Sequence, residues 1–271
     1  MSWSVDTNSL LGLYYFCKKD SDIIEIVSSL SEVGTLKMLN FSSYSQIAIH
    51  LNLSVGRIDD LRKHNRENLF DFFPKFYEPN KNDYRGEYDI ISDEIEKYNR
   101  IRFIVNENDT NSMLSVYYVM YEFYDGIKDK EISITKFDIH SADFLKDRLE
   151  YEKACTNERI LSKEEIDNYK KTWEQELENN SEIRNIENKK IIDYSIDDIS
   201  KKILEFMMKR KPDNTYLLIQ ELIKSNVLNI QRGLYIYNYI MEYMIKSEMI
   251  KTDKSGKLAL NDQIRMEKII Y

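Results

Sequence analysis

Short segments typical of strands alternate with helical patterns along the first half of the chain, and this alternation restricts the fold more than any other feature. The segments that predict strands are Leu10–Cys17, Thr35–Phe41, Ile101–Val105 and Glu131–Phe137. Strands joined by right-handed helical crossovers form a mostly parallel sheet that helices cover on both faces. The sequence therefore predicts an α/β fold, with a Rossmann-like sheet domain over residues 1–150.

Helical spacing of apolar residues predicts the connections between these strands. Ile23, Ile26, Val27 and Leu30 predict the first helix, and Gly34 stands where the C-terminus of that helix is expected. Three further helices are predicted over residues 42–51, 92–98 and 112–124.

A capping box opens the part of the chain that follows. The Ser162 hydroxyl can accept a hydrogen bond from the Glu165 amide while the Glu165 carboxylate reaches back, and an apolar face through Trp173 continues the helix. We assign residues 151–192 to a connecting helix. Residues 193–271 show three helical patterns followed by a hairpin pattern. This order predicts a helical, winged-helix-like C-terminal domain.

The charge balance bears on the kind of partner. The formal charge is -8 at pH 7 and the pI is near 5.2, whereas non-specific binding to nucleic acid requires a broad basic surface. Residues 193–271 carry 13 Lys and Arg against 11 Asp and Glu, a net charge of +2. Nucleic acid is therefore not expected to be the main partner.

The sequence predicts a cytoplasmic protein without a membrane segment. The longest apolar run, Leu10–Cys17, is too short to cross a bilayer, and the N-terminus lacks a signal-peptide pattern. Cys17 and Cys155 lie far apart without a C-x-x-C pattern, so both are expected to be reduced and buried. The three histidines lack metal-ligand spacing, and neither a metal nor a cofactor is expected.

One set of residues in the last third of the chain, and a second set in the first half, carry a family resemblance. The first set is Leu161-Ser162, Trp173, Asn180, Ile183-Arg184 and Asp197-Asp198; the second is Ser21, Leu53-Ser54-Val55-Gly56, Arg66 and Asn106 to Asp109. Both resemble bacterial proteins that pair an N-terminal α/β domain, domain of unknown function 1835, with a helical domain of unknown function 3658. The chain departs from the family at Tyr14 or Tyr15, Lys19 and Val105. The resemblance implies architecture and no assigned activity.

Two groups of residues are candidates for ligand binding. At the end of the first predicted strand, Ser21 and the amides of a helix N-terminus could hold a phosphate or carboxylate, with help from Lys19. An ordinary helix cap is the alternative, because the chain has no glycine-rich phosphate loop. The second group, Gly56, Arg57 and Asp59, places both charge signs at a turn near a strand end. A surface loop with local ion pairs is the alternative there.

Two further groups are candidates for an interface or a domain junction. On a single helix, the spacing of Trp173, Asn180 and Arg184 would bring the three side chains to one side. Tyr235 and Tyr239 belong to an aromatic face of the third C-terminal helix. Because protein interfaces are enriched in Tyr, this face is interpreted as a packing or protein-contact surface.

The sequence shows no catalytic constellation, and the leading hypothesis is therefore a non-enzymatic interaction or regulatory protein that acts through protein-protein contacts. Two alternatives stay open. The first is an enzyme or sensor that binds a nucleotide or another small anion at the carboxyl edge of the sheet. The second is a DNA-binding regulator that uses the winged-helix-like domain.

Overall fold

The computed structural model describes residues 15–16, 22–38, 44–49, 53–54, 58, 91–107, 109–137, 144–188, 190–225, 234–253 and 257–260. The chain divides into two compact units, and among these residues the division falls between Asn180 and Ser181. Each unit contains its own cluster of buried apolar residues.

A six-stranded sheet forms the centre of the first unit. Its strands are β1 (Tyr15–Phe16), β2 (Ile23–Val27), β3 (Ser45–Ala48), β4 (Arg100–Val105), β5 (Glu131–Lys136) and β6 (Arg159–Ile160). They lie in the order β1-β3-β2-β4-β5-β6. The four inner strands are parallel, whereas β1 and β6 run antiparallel to their neighbours at the two edges. The predicted α/β fold with a mostly parallel sheet is therefore confirmed.

Helices cover the sheet on both faces. They are α1 (Leu30–Met38), α2 (91–97), α3 (Thr110–Glu122), α4 (Tyr124–Ile127), α5 (Phe144–Thr156) and α6 (Lys163–Asn179). The β2–β3 and β4–β5 crossovers run in opposite directions from the middle of the sheet, so right-handed connections place α1 and α3 on opposite faces. Leu36 of α1 and Tyr151 of α5 pack in one cluster with Val27 and Ile104 of the strands.

The helix predicted from Ile23 to Leu30 is wrong. All five residues of β2, Ile23–Val27, are buried, and the strand pairs with β3 on one side and β4 on the other. A strand that is buried on both faces carries apolar residues at successive positions, and here Ile23, Ile26 and Val27 also satisfy helical spacing by chance. The helix α1 therefore begins only at Leu30, and Gly34 lies inside it.

The next two predictions along the chain are also wrong, because they depended on this one. The predicted strand Thr35–Phe41 overlaps the end of α1, and the predicted helix over residues 42–51 contains the strand β3, Ser45–Ala48. The later predictions are confirmed: β4 and β5 are strands, and helices cover most of residues 92–98 and 112–124. Of the connecting helix predicted over residues 151–192, residues 151–180 lie in the first unit.

In the described part of the second unit, the chain forms two hairpins and three helices. Its elements are β7 (Ile183–Glu187), β8 (Lys190–Tyr194), α7 (Ile196–Arg210), α8 (Thr215–Ser225), α9 (Leu234–Lys246), β9 (Ile250–Thr252) and β10 (Leu258–Leu260). The three helices and the final hairpin lie where the sequence predicts them, whereas the β7–β8 hairpin was not predicted. The core brings together residues from all three helices, including Ile203, Leu218 and Ile240.

Among the helices in the described part of the chain, none combines the length and the apolar character that crossing a bilayer requires.

Candidate functional site

The strand order reverses between β2 and β4, in the middle of the sheet. From β2 the chain passes through α1 to β3 on one side, and from β4 it passes through α3 and α4 to β5 on the other. Open α/β sheets bind ligands in the crevice outside the carboxyl ends of the strands at such a reversal. We therefore call the segments that follow β2 and β4, with the first turns of α1 and α3, the carboxyl edge.

On the β2 side, a buried carboxyl group closes the first turn of α1. The Ser28 amide and the Ser28 hydroxyl both donate to Glu32 Oε2 at 2.8 Å. The Glu32 amide donates to Ser29 Oγ at 3.3 Å. Ser28 and Glu32 are both buried, with 6% and 8% of their surface exposed. The geometry holds the Glu32 carboxyl at the N-terminus of α1, where a bound anion would otherwise lie.

On the β4 side, Asp109 caps α3. Its side chain accepts from the Ser112 amide at 3.0 Å, and Ser112 Oγ accepts from the Asn106 amide at 3.1 Å. Asn111 Oδ1 accepts from the Leu53 amide at 2.7 Å, which ties the segment after β3 to the start of α3. These contacts fix the backbone around the carboxyl edge.

The pKa of Glu32, on the β2 side of the carboxyl edge, depends in part on Asp109 on the β4 side. Burial raises the pKa of Glu32, hydrogen bonds from Ser28 and Ser29 oppose that increase, and the negative charge of Asp109 adds to it. One acidic group thus lies at the N-terminus of each of α1 and α3, where the helix dipole is positive. A ligand that donates hydrogen bonds fits these acceptors better than an anion does.

A second polar group lies on the sheet face that α5 covers. Gln46, Glu25, Arg102 and Ser133 are neighbours in register across β3, β2, β4 and β5, and each has less than 5% of its surface exposed. We call these four residues, together with Tyr151, Cys155 and Glu158, the Glu25 cluster.

Hydrogen bonds join the strands within the Glu25 cluster. Gln46 Nε2 donates to Glu25 Oε2 at 3.1 Å, and Arg102 Nη1 donates to Glu25 Oε1 at 3.1 Å. Arg102 Nε donates to Glu158 Oε2 at 2.7 Å, as does Ser133 Oγ at the same distance. The buried guanidinium therefore lies between two carboxyl groups, an arrangement in which loss of one partner is costly.

The two acids of this cluster differ in their protonation equilibria. Burial raises the pKa of Glu25, against the hydrogen bonds from Tyr151, Gln46 and Arg102. Burial also acts to raise the pKa of Glu158, but hydrogen bonds from Arg102 and Ser133 outweigh it and lower the pKa.

Cys155 is not positioned as a nucleophile. Burial raises the pKa of Cys155 to about 11, so the thiol is protonated at neutral pH. Within the described residues, His, Cys, Asp and Glu form no group of three or more that could hold a metal ion.

The sequence-predicted ligand residues Lys19, Ser21, Gly56, Arg57 and Asp59 lie outside the described residues. The expected location can nevertheless be corrected in one respect. The strand that leads into the first helix is β2 and not the predicted strand Leu10–Cys17, so the strand-to-helix junction falls at residues 28–29. Sequence reasoning missed Ser28 and Glu32, although serines directly after a buried apolar run were the available signal.

Trp173, Asn180 and Arg184 do not lie on one helix, because α6 ends at Asn179. Trp173 is buried against Tyr118 of α3, with ring centroids 6.0 Å apart. Asn180 adopts a left-handed conformation with φ 44° and ends the helix, since its amide donates to the Glu176 carbonyl at 2.7 Å.

Asn180 and Arg184 lie in different units. Asn180 Oδ1 accepts from the Ile58 amide at 2.8 Å within the first unit. Arg184 is a buried residue of β7 in the second unit, where its guanidinium donates to the Ser181 carbonyl. An Asn in the left-handed conformation commonly ends a helix. This signal in the sequence could have placed Arg184 outside the helix that contains Trp173.

The aromatic face predicted on α9 is partly internal. Tyr237 belongs to the core of the second unit, and Tyr243 packs against that core while its hydroxyl donates to Asp197 at 2.6 Å. The side chains of Tyr235 and Tyr239 lie outside the described residues. Their assignment to an interface stays a prediction.

Comparisons with protein-family models, curated proteins and solved structures gave no match. The resemblance to the paired domains of unknown function therefore stays a prediction.

Proposed function

We propose that this chain is a regulatory binding protein whose first unit binds a small hydroxylated ligand, with nucleosides as the first class to test, at the carboxyl edge. The observation that carries the proposal is the reversal of strand order between β2 and β4, with the carboxyl groups of Glu32 and Asp109 at the helix N-termini on its two sides. Ligands of open α/β sheets bind at this position.

The chemistry of the carboxyl edge favours a ligand with hydroxyl groups over a free phosphate. Glu32 and Asp109 place carboxyl oxygens at the N-termini of α1 and α3, and these oxygens occupy the positions in which the helix dipoles favour an anion. Ribose hydroxyls can donate hydrogen bonds to these oxygens. In dinucleotide-binding sheets, an acidic residue accepts a hydrogen bond from the ribose in the same way. The proposal therefore differs from the anion site expected at Lys19 and Ser21.

A thermal-unfolding screen tests this proposal. Adenosine, other nucleosides, nucleotides and sugars are added separately to the full chain. At about 100 times its dissociation constant, a ligand adds about 2.7 kcal/mol of stability, and each kcal/mol raises Tm by about 2–4 °C in a chain of this size. We expect a rise with a hydroxylated ligand. A panel without any rise would contradict the proposal.

Glu32→Gln and Glu165→Gln form a matched pair of variants for the same screen. Both glutamates hold a serine at the start of a helix, but Glu165 does so in the capping box of α6. We expect Glu32→Gln to reduce the ligand-induced rise and Glu165→Gln to retain it. Equal rises in the two variants would exclude Glu32 from the site.

We also propose that the second unit is winged-helix-like and contacts a protein partner. The order of α7, α8 and α9 before the β9–β10 hairpin supports this, as does the antiparallel bridge between Asn214 and Lys257. The near-neutral charge of residues 193–271 favours protein over DNA.

Two measurements distinguish a protein partner from DNA. Analytical ultracentrifugation detects assembly with a protein, and titration with short duplexes detects binding to DNA. We expect no DNA affinity that falls with added salt, since such a fall reports contacts with phosphates. Tight, salt-sensitive binding to short duplexes would overturn the protein-partner proposal. Tyr235→Ala and Tyr239→Ala are expected to weaken capture of a protein partner without unfolding α9.

A further inference from the structure

The segment that follows β3 reaches from one side of β2 to the other. At its start, the Ile49 amide donates to the Val27 carbonyl at 2.8 Å, so the chain is still beside the end of β2. Further on, the Leu53 amide donates to Asn111 Oδ1 at 2.7 Å. Asn111 lies in the first turn of α3, which follows β4 on the opposite side of β2. The chain therefore passes from the β3 side of the strand-order reversal to the β4 side.

The lengths involved restrict the route of this segment. Neighbouring strands lie about 4.8 Å apart, so β3 and β4 are separated by about 10 Å across β2. The chain from Ile49 to Leu53 can span at most about 14 Å. The shortest connection lies over the residues that follow β2, where Ser28 and Glu32 meet at the start of α1. This is the crevice in which we place the proposed ligand.

Leu53 and Ser54, which we call the crossing pair, are enclosed although they belong to a connection between elements. Leu53 has 0% and Ser54 has 1% of its surface exposed, whereas connections usually lie at the surface. Neither residue is charged, while Glu32 and Asp109 place carboxyl groups at the N-termini of α1 and α3. The crossing pair therefore adds an uncharged surface to an edge that is otherwise acidic.

Asn111 fixes the backbone of the crossing pair to α3. The Asn111 carbonyl accepts from Ser115 Oγ at 2.8 Å within the helix, whereas its side-chain oxygen accepts from the Leu53 amide, 58 positions earlier in the chain. An Asp side chain retains an oxygen that can accept this bond, and an Ala side chain does not. A buried amide that loses its acceptor is costly, so this contact determines where Leu53 lies.

We propose that the crossing pair forms one wall of the ligand site at the carboxyl edge, and that Asn111 is the positioning residue that holds this wall in place. The inference rests on the proposed function, because it assigns a wall to the same site. A ligand that donates hydroxyl groups to Glu32 and Asp109 meets the crossing pair with another part of its surface. Burial of a charge against an uncharged wall is unfavourable, which suits the neutral ring of a nucleoside.

Hydrogen exchange of the ligand-free chain tests the role of Asn111. We expect a protected Leu53 amide in the wild type. In Asn111→Ala its exchange should accelerate about tenfold or more, because the buried amide loses its acceptor. Asn111→Asp should restore the slow rate to within about threefold, because an acceptor oxygen is present again. An unprotected Leu53 amide in the wild type, or an unchanged rate in Asn111→Ala, would overturn this role whether or not any ligand binds.

Asn180→Gly is the matched control for this experiment. Asn180 Oδ1 accepts from the Ile58 amide at 2.8 Å, which is the same kind of bond further along the chain. Gly retains the left-handed end of α6 and removes only the side chain. We expect Asn180→Gly to accelerate exchange at Ile58 and not at Leu53. An equal acceleration at Leu53 would mean that the whole segment loosens, and would contradict local positioning by Asn111.

Titration of the full chain with adenosine, followed by amide NMR and repeated with the ligands of the thermal screen, tests the wall itself. We expect the signals of the crossing pair to shift with the same dissociation constant as those of Ser28 and Glu32. Shifts at Ser28 and Glu32 without shifts at the crossing pair would overturn the wall and leave the proposed function standing. An absence of shifts at all four residues with every ligand would contradict both.

The same titration of the variants separates positioning from general stability. Asn111→Ala should raise the dissociation constant about tenfold or more, because the wall loses the bond that holds it. Asn111→Asp and Asn180→Gly should both keep the constant within about threefold of the wild type. An unchanged dissociation constant in Asn111→Ala would overturn the inference. If Asn111→Ala does not fold, the shifts of the crossing pair in the wild type still decide.

Discussion

Replacing Trp173 with Ala tests how α6 is held on the first unit. Trp173 is 1% exposed, and its ring meets Tyr118 of α3 edge to face, with centroids 6.0 Å apart and planes at 72°. One further aromatic pair, Tyr117 and Tyr169, joins the same two helices at 4.8 Å. The residues of α3 between 112 and 120 are all buried, so α6 covers a surface that must be kept from water.

The expected loss has two parts. Removal of a buried Trp side chain destabilises a core by about 3–5 kcal/mol, which includes the cavity that remains. Of this, an edge-to-face aromatic pair contributes about 0.5–1.5 kcal/mol beyond its buried area. A double-mutant cycle between Trp173→Ala and Tyr118→Ala should therefore return a coupling free energy in this smaller range.

Urea unfolding followed by far-ultraviolet circular dichroism measures both quantities. Leu149→Ala is the control, because Leu149 lies on α5 of the same unit with 68% of its surface exposed. It should change the free energy of unfolding by less than about 0.5 kcal/mol. A Trp173→Ala variant within 1 kcal/mol of wild type, or a coupling free energy near zero, would refute this description of the α3–α6 contact.

Three further predictions concern single contacts. Ser162→Ala removes the capping box of α6 and should lower the free energy of unfolding by about 1 kcal/mol in urea titrations; no change would mean that the cap is dispensable. Because the pKa of Glu158 is lowered, its contribution to stability is present above the unfolded pKa and disappears as pH falls through the folded pKa. The urea midpoints of wild type and Glu158→Gln should therefore converge in acid. Ile203→Ala, in the core of the second unit, should cost about 2–5 kcal/mol, and calorimetry would contradict that packing if Tm were unchanged.

The strands and helices that the sequence predicts correctly have local sequence patterns that match the structure they adopt in the folded chain. Ser162 and Glu165 form the predicted capping box, and both of its hydrogen bonds are present. The β9–β10 hairpin also lies where its turn pattern predicts it. These elements are determined by contacts between residues close in sequence, so a reading of local pattern is sufficient.

The elements that were not predicted from the sequence depend on contacts between residues far apart in the chain. Ile23–Val27 is a strand because β3 and β4 pair on its two sides, and no local signal distinguishes such a run from a buried helix. Glu25 lies in that run, and its partner Arg102 is 77 residues away. The Glu25 cluster was therefore not predicted.

A ligand site at the carboxyl edge was expected from the sequence, and it stays a prediction. The expectation of a ligand at the carboxyl edge follows from the α/β order alone, and the strand order agrees with it. The residues that line the edge depend on which strand enters the first helix. Because β2 was predicted as a helix, Ser28 and Glu32 were missed, whereas the Asn106–Asp109 segment was already noted for its resemblance to a family.

The most direct test of the proposed ligand site is a titration of the nitrogen-15-labelled chain with adenosine, followed by amide NMR and repeated with the nucleotides and sugars of the thermal screen. We expect one of these ligands to shift the amide signals of Ser28, Glu32, Asp109 and Ser112 together, with a single dissociation constant. Shifts confined to other parts of the chain, or none with any ligand, would contradict a binding site at the carboxyl edge.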